Sequence, residues 1–332
     1  MQEHYLKLAN SWLLSKMKKY SLNFASLLCI FLHNLIERFR FKYDKKRTMS
    51  PSIGVEGKER GYIVAVGGAE KHSTKAIILQ KFTELANSNG GQIVVIPTAS
   101  ETEETGHRYI RIFSKLGVRK EVLSIPIKTR SDSEKPDYVE KLESASAIFI
   151  TGGNQLRLST VMGGTSVARL IRKLNAEGVH VAGTSAGAAI LSEHMIAGGA
   201  SGATPTPDGV TLAPGLGLTN SLIIDQHFRQ RDRLGRLLAA LSYNPFMSGI
   251  GLDEDTAIFI NPKGVLEVVG SGAVTVVDPS KLQYSSMGSV RAGQPVSLIG
   301  LRLHILASGG RYDTHSREAI IDDKNNKQIT SK

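Results

Sequence analysis

The sequence predicts an α/β fold: a doubly wound, mainly parallel sheet flanked by helices, with a β-rich edge towards the C-terminus. Three observations support this prediction. From Gly61 onward, short apolar runs alternate with longer amphipathic segments, several of the runs end in glycine pairs, and the chain becomes β-rich after about Asp253. Such alternation is typical of parallel strands connected by helices that cover both faces of a sheet.

Each element has its own signal in the sequence. Continuous apolar runs predict buried strands at 62–66, 92–96, 122–127, 147–150 and 179–182. Amphipathic periodicity predicts helices at 74–87, 104–116 and 165–177. Further apolar runs predict antiparallel strands at one edge of the sheet at 258–260, 266–269, 273–277 and 296–303.

Composition narrows the classes of function. Of the 332 residues, 41% are hydrophobic and 21% are charged, which excludes wholesale disorder and fibrous repeats. The single cysteine, Cys29, excludes a disulfide framework or a cysteine-rich metal site within one chain. It also excludes a thiol nucleophile in the body of the protein.

Charge is concentrated near the N-terminus. Residues 1–60 contain 12 basic and 5 acidic residues, a net +7 out of +11 for the whole chain. The sequence therefore predicts a basic, partly apolar extension at 1–60, a single α/β domain at 61–321 and a polar tail at 322–332. A basic arm can attract polyanions, but we expect no nucleic-acid partner.

The extension allows three interpretations. Residues 22–36 are apolar but fall short of the ~20 residues that a membrane-spanning helix needs. The extension is a leader or disordered segment before a start at Met49, a membrane-surface helix within residues 16–47, or a cleaved export signal without a recognisable cleavage site. We expect a cytoplasmic protein, with an exported or membrane-associated one as the alternative if the signal is real.

The strongest chemical motif is Gly183-Thr184-Ser185-Ala186-Gly187, directly after a predicted strand. This G-x-S-x-G pattern in a strand–turn–helix context is the nucleophile elbow of serine hydrolases. Glycines flank the serine because side chains there would collide with the sheet and the helix. A glycine-rich packing turn or a phosphate-binding loop is the alternative interpretation.

A serine nucleophile needs a base and an acid. His227 follows an apolar run, whereas His194 is predicted to lie in the helix behind the elbow, facing away. The acid candidates Asp253, Glu254 and Asp255 follow a strand-like segment at 248–252. The order serine, histidine, acid differs from that of ordinary α/β-hydrolases, so it indicates either another hydrolase lineage or no triad.

Four motifs, in order, resemble the cyanophycinase family. They are ITGGNQ at 150–155, GTSAGA at 183–188, IDQHF at 224–228 followed by Arg231, Arg233 and Arg236, and GIGLDE at 249–254. The resemblance covers roughly residues 61–311. It implies a serine peptidase related to aspartyl dipeptidase, with a class I glutamine amidotransferase-like fold, that hydrolyses cyanophycin to β-Asp-Arg dipeptides. It also suggests a homodimer.

The resemblance places the catalytic serine, histidine and glutamate on Ser185, His227 and Glu254. We expect the oxyanion to be bound by the backbone N–H groups of Gly153 and Ala186, and we expect no metal or cofactor. Further residues are predicted to bind substrate, and they are Gln155, Asp225, Gln226, Arg231, Arg233, Arg236 and Asp255. Asp225 is the residue suited to a substrate guanidinium.

The sequence departs from the family pattern at two positions, with Asn154 where Asp is common and Asp255 where Asn is common. The second departure places an extra carboxylate beside Glu254.

A helix is predicted to start one residue after His227, with Arg229, Arg233 and Arg236 on one face and leucines on the other. The alternative interpretation of these arginines is a solvated basic surface.

Two other functions remain open from sequence. One is an aspartyl or isoaspartyl dipeptidase acting on short acidic peptides, although the arginines after His227 favour a polymer with many carboxylates. The other is a non-catalytic module that binds a polyanion or a membrane. An amidotransferase is disfavoured because serine occupies the elbow where that chemistry uses cysteine.

Overall fold

The computed structural model describes residues 50–72, 76–102 and 104–320. The predictions for the leader, export signal and membrane-surface helix at 1–49, and for the polar tail, concern residues outside this range. Residues 50–60, predicted to belong to the extension, contact the folded body. Ser50 Oγ donates to Gly217 O at 3.0 Å, and Arg60 Nη1 donates to Asn175 Oδ1 at 3.1 Å.

The helices and strands follow in chain order. The strands are β1 Ile63–Val66, β2 Ile93–Ile96, β3 Leu123–Ser124, β4 Ala147–Ile150, β5 His180–Thr184, β6 His194–Gly199, β7 Val210–Pro214, β8 Leu222–Asp225, β9 Ser248–Leu252, β10 Thr256–Ile260, β11 Val265–Gly270, β12 Val274–Asp278, β13 Tyr284–Ser285, β14 Leu298–Ile299, β15 Arg302–Leu306, β16 Arg311–Asp313 and β17 Glu318–Ile320. The α-helices are α1 Ile77–Ser88, α2 Glu104–Lys115, α3 Pro136–Glu143, α4 Gln155–Met162, α5 Ser166–Ala176, α6 Ala186–Ala189 and α7 Leu234–Tyr243.

The central sheet has nine strands in the order β17-β16-β11-β10-β1-β5-β4-β2-β3. From β1 to β3 all neighbours are parallel, whereas from β1 to β17 all are antiparallel. The doubly wound α/β prediction is confirmed. The carboxyl ends of the parallel strands form the edge where ligands bind in such sheets.

Helices cover both faces of the sheet because the strand residues are apolar on both sides. On one face Phe82 of α1 and Phe113 of α2 pack against Phe149 of β4. On the other face, helices α3 to α6 pack against residues such as Ile148 and Val181. Nearly continuous Val and Ile in the strands is the pattern that two-sided burial demands.

A second sheet of four strands has the order β15-β12-β9-β8, with β8 and β9 parallel and the other pairs antiparallel. The prediction that all strands after Asp253 lie at one sheet edge is therefore wrong in part. Strands β10, β11, β16 and β17 extend the central sheet, while β12 and β15 belong to the second sheet. Strand pairing over such sequence distances leaves no local signal in the sequence.

Two local predictions also need correction. His194 does not lie in a helix behind the elbow, because α6 has only four residues and His194 begins β6. Helices α3 and α4 were not predicted. Both are only eight residues long, and α4 begins after Asn154, whose side chain accepts from the N–H groups of Leu156 and Arg157 as an N-cap.

Among the described residues, no helix combines the length and the apolar character needed to cross a bilayer.

Candidate active site

Ser185 lies in a sharp turn between β5 and α6, with φ 52° and ψ −115°. The two flanking glycines are required by close backbone contacts. A Cβ atom on Gly183 would overlap the carbonyl oxygen of Gly187, and one on Gly187 would overlap the carbonyl oxygen of Ile150. The turn therefore has the geometry that the G-x-S-x-G pattern predicts, with the serine held in a strained conformation.

The loop after β1 connects the segments of the site. The carbonyl groups of residues 66–68 accept hydrogen bonds from the N–H groups of Ser185, His227 and Asp255 in turn, each at 2.9 Å. Gly68 also packs against the imidazole of His227, because a Cβ there would lie 2.5 Å from His227 Cε1 and Nε2. One short loop thus fixes the positions of three segments that are far apart in sequence.

His227 and Glu254 are brought together by the second sheet. Strands β8 and β9 are parallel and in register, with Asp225 opposite Gly251. The residues that follow both strands therefore leave the sheet side by side. The chain then crosses from β9 to β10 of the central sheet at Asp253–Asp255, which places Glu254 between the two sheets.

The three side chains form a hydrogen-bonded chain. Ser185 Oγ lies 2.9 Å from His227 Nε2, and His227 Nδ1 lies 2.6 Å from Glu254 Oε1. An ionised carboxylate can only accept, so Nδ1 carries the proton and Nε2 is left to accept from the serine hydroxyl. This is the tautomer that a general base needs.

Burial of the imidazole lowers the pKa of His227 below its ordinary value. The hydrogen bond and the charge of Glu254 oppose this shift, while the positive charges of Arg231 and Arg233 add to it. The neutral imidazole therefore predominates at neutral pH, which is the form able to accept a proton.

Backbone strain is concentrated around the hydrogen-bonded side chains of Ser185, His227 and Glu254. Of the six described non-glycine residues with positive φ, four lie within the site, and they are Ala69, Ser185, His227 and Asp255. Such conformations cost roughly 1–3 kcal/mol each and persist where the surrounding structure imposes them. For Ser185, His227 and Asp255 the constraint is the hydrogen bond that each backbone N–H donates to a carbonyl oxygen of residues 66–68.

The residues predicted for the oxyanion hole lie beside the serine. A Cβ on Gly152 would lie 3.1 Å from Ser185 Cβ, so the Gly152–Gly153 strand end adjoins the nucleophile. Ala186 is the first residue of α6, where the backbone N–H has no acceptor within the helix. Their role as oxyanion donors stays a prediction.

The segment after His227 differs from the predicted continuous helix. A 3₁₀ turn spans Arg229–Arg231, Asp232 is left-handed with φ 46°, and α7 begins only at Leu234. Arg229, Arg233 and Arg236 therefore do not share one helical face. The predicted stripe of Leu234, Leu237, Leu238 and Leu241 packs on one hydrophobic cluster, with Leu237 and Leu241 buried and Leu234 and Leu238 partly buried.

Because the helix is interrupted at Asp232, Arg233 and Arg236 are buried whereas Arg231 is exposed. Arg236 Nε donates to Asp225 Oδ2 at 2.6 Å, and its Nη2 contacts Asp225 Oδ1, so the pair is bidentate. Arg233 Nη1 lies 3.6 Å from the same carboxylate and also donates to the carbonyl oxygen of Gln226. Asp225 is 1% exposed, so these two arginines, rather than a substrate guanidinium, occupy it. Arg231 alone of the three predicted arginines is exposed.

Of the two predicted glutamines, Gln226 contacts Ser185 and Gln155 contacts backbone carbonyl groups of β6. Gln226 Oε1 lies 3.4 Å from Ser185 Oγ, and Gln155 Nε2 donates to the carbonyl oxygens of Ile196 and Ala197.

Asp255 points away from His227. Its carboxylate accepts from Lys71 N at 3.1 Å and from Ser271 Oγ at 2.7 Å. Asp253 contacts Arg229 instead, through Oδ1 to the backbone N–H at 3.2 Å and Oδ2 to Nε at 3.3 Å. Of the three acid candidates, Glu254 is the one that contacts the imidazole. In the described part of the chain, no three His, Cys, Asp or Glu side chains are grouped as metal ligands.

Sequence reasoning missed Glu70, a buried carboxylate behind the elbow. It accepts 2.6 Å hydrogen bonds from Thr184 Oγ1 and Tyr109 Oη. Although burial opposes ionisation, hydrogen bonds from His72, Thr184 and Tyr109 hold the pKa of Glu70 below its ordinary value. Its place directly after Gly67-Gly68-Ala69, at the end of the predicted strand 62–66, was the available signal.

Comparison with known proteins agrees with this geometry. Residues 63–268 match peptidase family S51, and these residues include all three members of the hydrogen-bonded chain. The chain belongs to peptidase family S51. It is therefore a peptidase of the hydrolase class.

Several curated relatives are similar over most of their length. The chain is 42% identical to a cyanophycinase of Nostoc sp. over 260 residues, covering 78% of this chain and 87% of the relative. It is 42% identical to a cyanophycinase of Geminocystis herdmanii over 263 residues, covering 79% and 96%. The crystal structure of a peptidase from an acI-B1 Actinobacterium matches with a TM-score of 0.55 and 24% identity over 73% of this chain and 98% of that one. The structural match supports the fold.

Proposed function

We propose that this peptidase is a serine-type exopeptidase that hydrolyses cyanophycin to β-Asp-Arg dipeptides through an acyl-enzyme on Ser185. The observation that carries the proposal is the hydrogen-bonded chain Ser185–His227–Glu254, in a protein 42% identical to cyanophycinases along nearly their whole length. Cyanophycin is a poly-aspartate with an arginine on each side-chain carboxyl group.

The reaction proceeds in two steps, acylation of Ser185 and hydrolysis of the acyl-enzyme. His227 Nε2 takes the proton from Ser185 Oγ as the oxygen bonds to the backbone carbonyl carbon of an aspartyl residue. The N–H groups of Gly153 and Ala186 stabilise the oxyanion, and the proton passes from His227 to the leaving amine. A water molecule, deprotonated by His227, then bonds to the acyl carbon, and the bond to Ser185 Oγ breaks as the proton returns from His227 to that oxygen. Glu254 keeps the imidazole in the required tautomer and stabilises the imidazolium.

Among the residues predicted to bind substrate, the exposed ones can contact it directly and the buried arginines cannot. Arg231 is exposed and available to a substrate carboxylate, and Gln226 Oε1 lies 3.4 Å from Ser185 Oγ. Gln155 is the first residue of α4, two residues after Gly153. Arg233 and Arg236 act through Asp225, which fixes the segment that carries the base.

The test is product analysis with the wild type and the Ser185→Ala variant on purified cyanophycin. We expect β-Asp-Arg from the wild type and none from the variant, with unchanged thermal unfolding. Ser114→Ala, at an exposed position of α2, is the matched control and should retain full activity. Free arginine as product, retained turnover by Ser185→Ala, or hydrolysis restricted to aspartyl or isoaspartyl dipeptides would overturn the proposal.

The homodimer and the cytoplasmic location stay predictions, as does a membrane contact through residues 16–47. Light scattering on the full chain measures the mass in solution. Co-sedimentation with anionic vesicles tests the membrane contact.

A further inference from the structure

A cavity of about 400 Å³ lies beyond the carboxyl ends of β2 and β3, outside the Ser185–His227–Glu254 chain. Its polar lining includes Thr98, Ser100, Glu101, His107 and Arg157. None of these residues has a part in the mechanism above, so the cavity is a separate feature of the same sheet edge.

The lining carries charges of both signs. Glu101 offers a carboxylate, Arg157 offers a guanidinium from the first turn of α4, and Lys128 adds an ammonium group to the lining. Neither Glu101 nor Arg157 forms a salt bridge with any residue that the structure describes. Two opposite charges that line one cavity without pairing suit a ligand that is itself zwitterionic.

The cavity is connected to the nucleophile by a short stretch of backbone. Gly152 adjoins Ser185, and two residues later the N–H of Asn154 donates to the carbonyl oxygen of Ala99 at 2.9 Å. Ala99 directly precedes the lining residue Ser100. In the sheet, β2 is separated from β5 by β4 alone, which corresponds to about 10 Å at the usual strand spacing.

We propose that this cavity is an accessory subsite for a further Asp-Arg unit of cyanophycin, beyond the two units that flank the scissile bond. The inference rests on the proposed function. Each unit carries a guanidinium, which pairs with Glu101, and a carboxylate, which pairs with Arg157. A poly-aspartate backbone advances roughly 3.3–3.6 Å per residue, so a third unit with its arginyl arm spans the distance from the nucleophile to the cavity.

The test compares two substrates of defined length. The first has two Asp-Arg units and one backbone peptide bond, and the second has four units. We expect Glu101→Gln and Arg157→Gln to lower kcat/KM roughly ten-fold on the four-unit substrate, as the loss of one charge-assisted contact predicts, and to leave the two-unit value unchanged. Unchanged turnover of the short substrate also shows that each variant is folded.

Matched controls are Glu140→Gln and Arg291→Gln, which remove the same charges at exposed positions away from the cavity. Both should behave as wild type on both substrates. Variants at Glu101 and Arg157 that cleave the four-unit substrate at the wild-type rate would overturn the subsite, as would an equal loss on both substrates. If the wild type cleaves neither substrate, it is the proposed function that fails.

Discussion

Two buried aspartates in this peptidase each hold a pair of arginines, but they lie in different places. Asp225, at the end of β8, is 1% exposed and pairs with Arg236 and Arg233, whose side chains are 5% and 10% exposed. Asp278, at the end of β12, is fully buried and pairs with Arg302 and Arg317, which are 30% and 22% exposed. The arginines of the Asp225 cluster are almost completely buried, whereas those of the Asp278 cluster are partly exposed to solvent.

The two clusters contact different parts of the molecule and therefore stabilise different features. Asp225 lies two residues before His227, and Arg233 donates to the carbonyl oxygen of Gln226 between them. Arg302 belongs to β15 and also contacts Glu318 of β17, so the second cluster links the C-terminal strands. The same set of side chains therefore supports the segment of the proposed base, His227, in one place and strand association alone in the other.

The largest effect is expected from Asp225→Asn. It leaves two nearly buried guanidinium groups without a carboxylate, and breaking a buried pair in this way costs about 3–5 kcal/mol. Denaturant unfolding should show this loss, and kcat/KM per folded molecule should fall because the segment before His227 loses its anchor. A variant that is as stable as the wild type would contradict the account of the cluster.

A smaller effect is expected from Asp278→Asn. Arg302 and Arg317 can recruit water, and Arg302 keeps Glu318, so the loss should be about 1–3 kcal/mol. On the folded fraction kcat/KM should equal the wild-type value. If this variant loses activity as Asp225→Asn does, the distinction between the two clusters is wrong.

The sequence was sufficient for the features that depend on local pattern. Continuous Val and Ile runs predicted the parallel strands, and the spacing of Gly183, Ser185 and Gly187 predicted the elbow, because sterics there permit little else. The residues alone left the acid open among Asp253, Glu254 and Asp255, and the family resemblance selected Glu254. The structure brings the side chains of Ser185, His227 and Glu254 into hydrogen-bond contact.

Other features could not be predicted because they depend on distant partners. A solvated arginine face and a buried Arg236–Asp225 pair look alike in sequence, since burial is decided by tertiary packing. Asp232 interrupts the predicted helix in a left-handed conformation. Aspartate tolerates this conformation, but an aspartate in the sequence does not predict it. The membership of β12 in the second sheet is likewise set by pairing with β9 and β15.

Comparison of Arg236→Lys with Arg231→Lys separates the buried arginine from the exposed one. Lysine cannot make the bidentate contact with Asp225, so Arg236→Lys should lower the free energy of unfolding by about 1–3 kcal/mol. Arg231→Lys should change stability by less than about 0.5 kcal/mol while lowering kcat/KM on cyanophycin roughly ten-fold. Equal losses of stability in both variants would contradict this division.

The smallest effect concerns pH and isolates the charge of Arg231. Burial, and then the positive charges of Arg231 and Arg233, hold the pKa of His227 below its ordinary value, against the opposing effect of Glu254. Since His227 must be neutral to accept the proton of Ser185, kcat/KM falls as pH drops through this pKa. Arg231→Gln removes a cation that disfavours the imidazolium, so the pKa rises and the acidic limb of the kcat/KM profile moves to higher pH. Arg229→Gln is the matched control, because Arg229 is paired with Asp253 and should leave the limb in place. A limb that does not move in Arg231→Gln would show that this arginine acts on the substrate alone and not on the base.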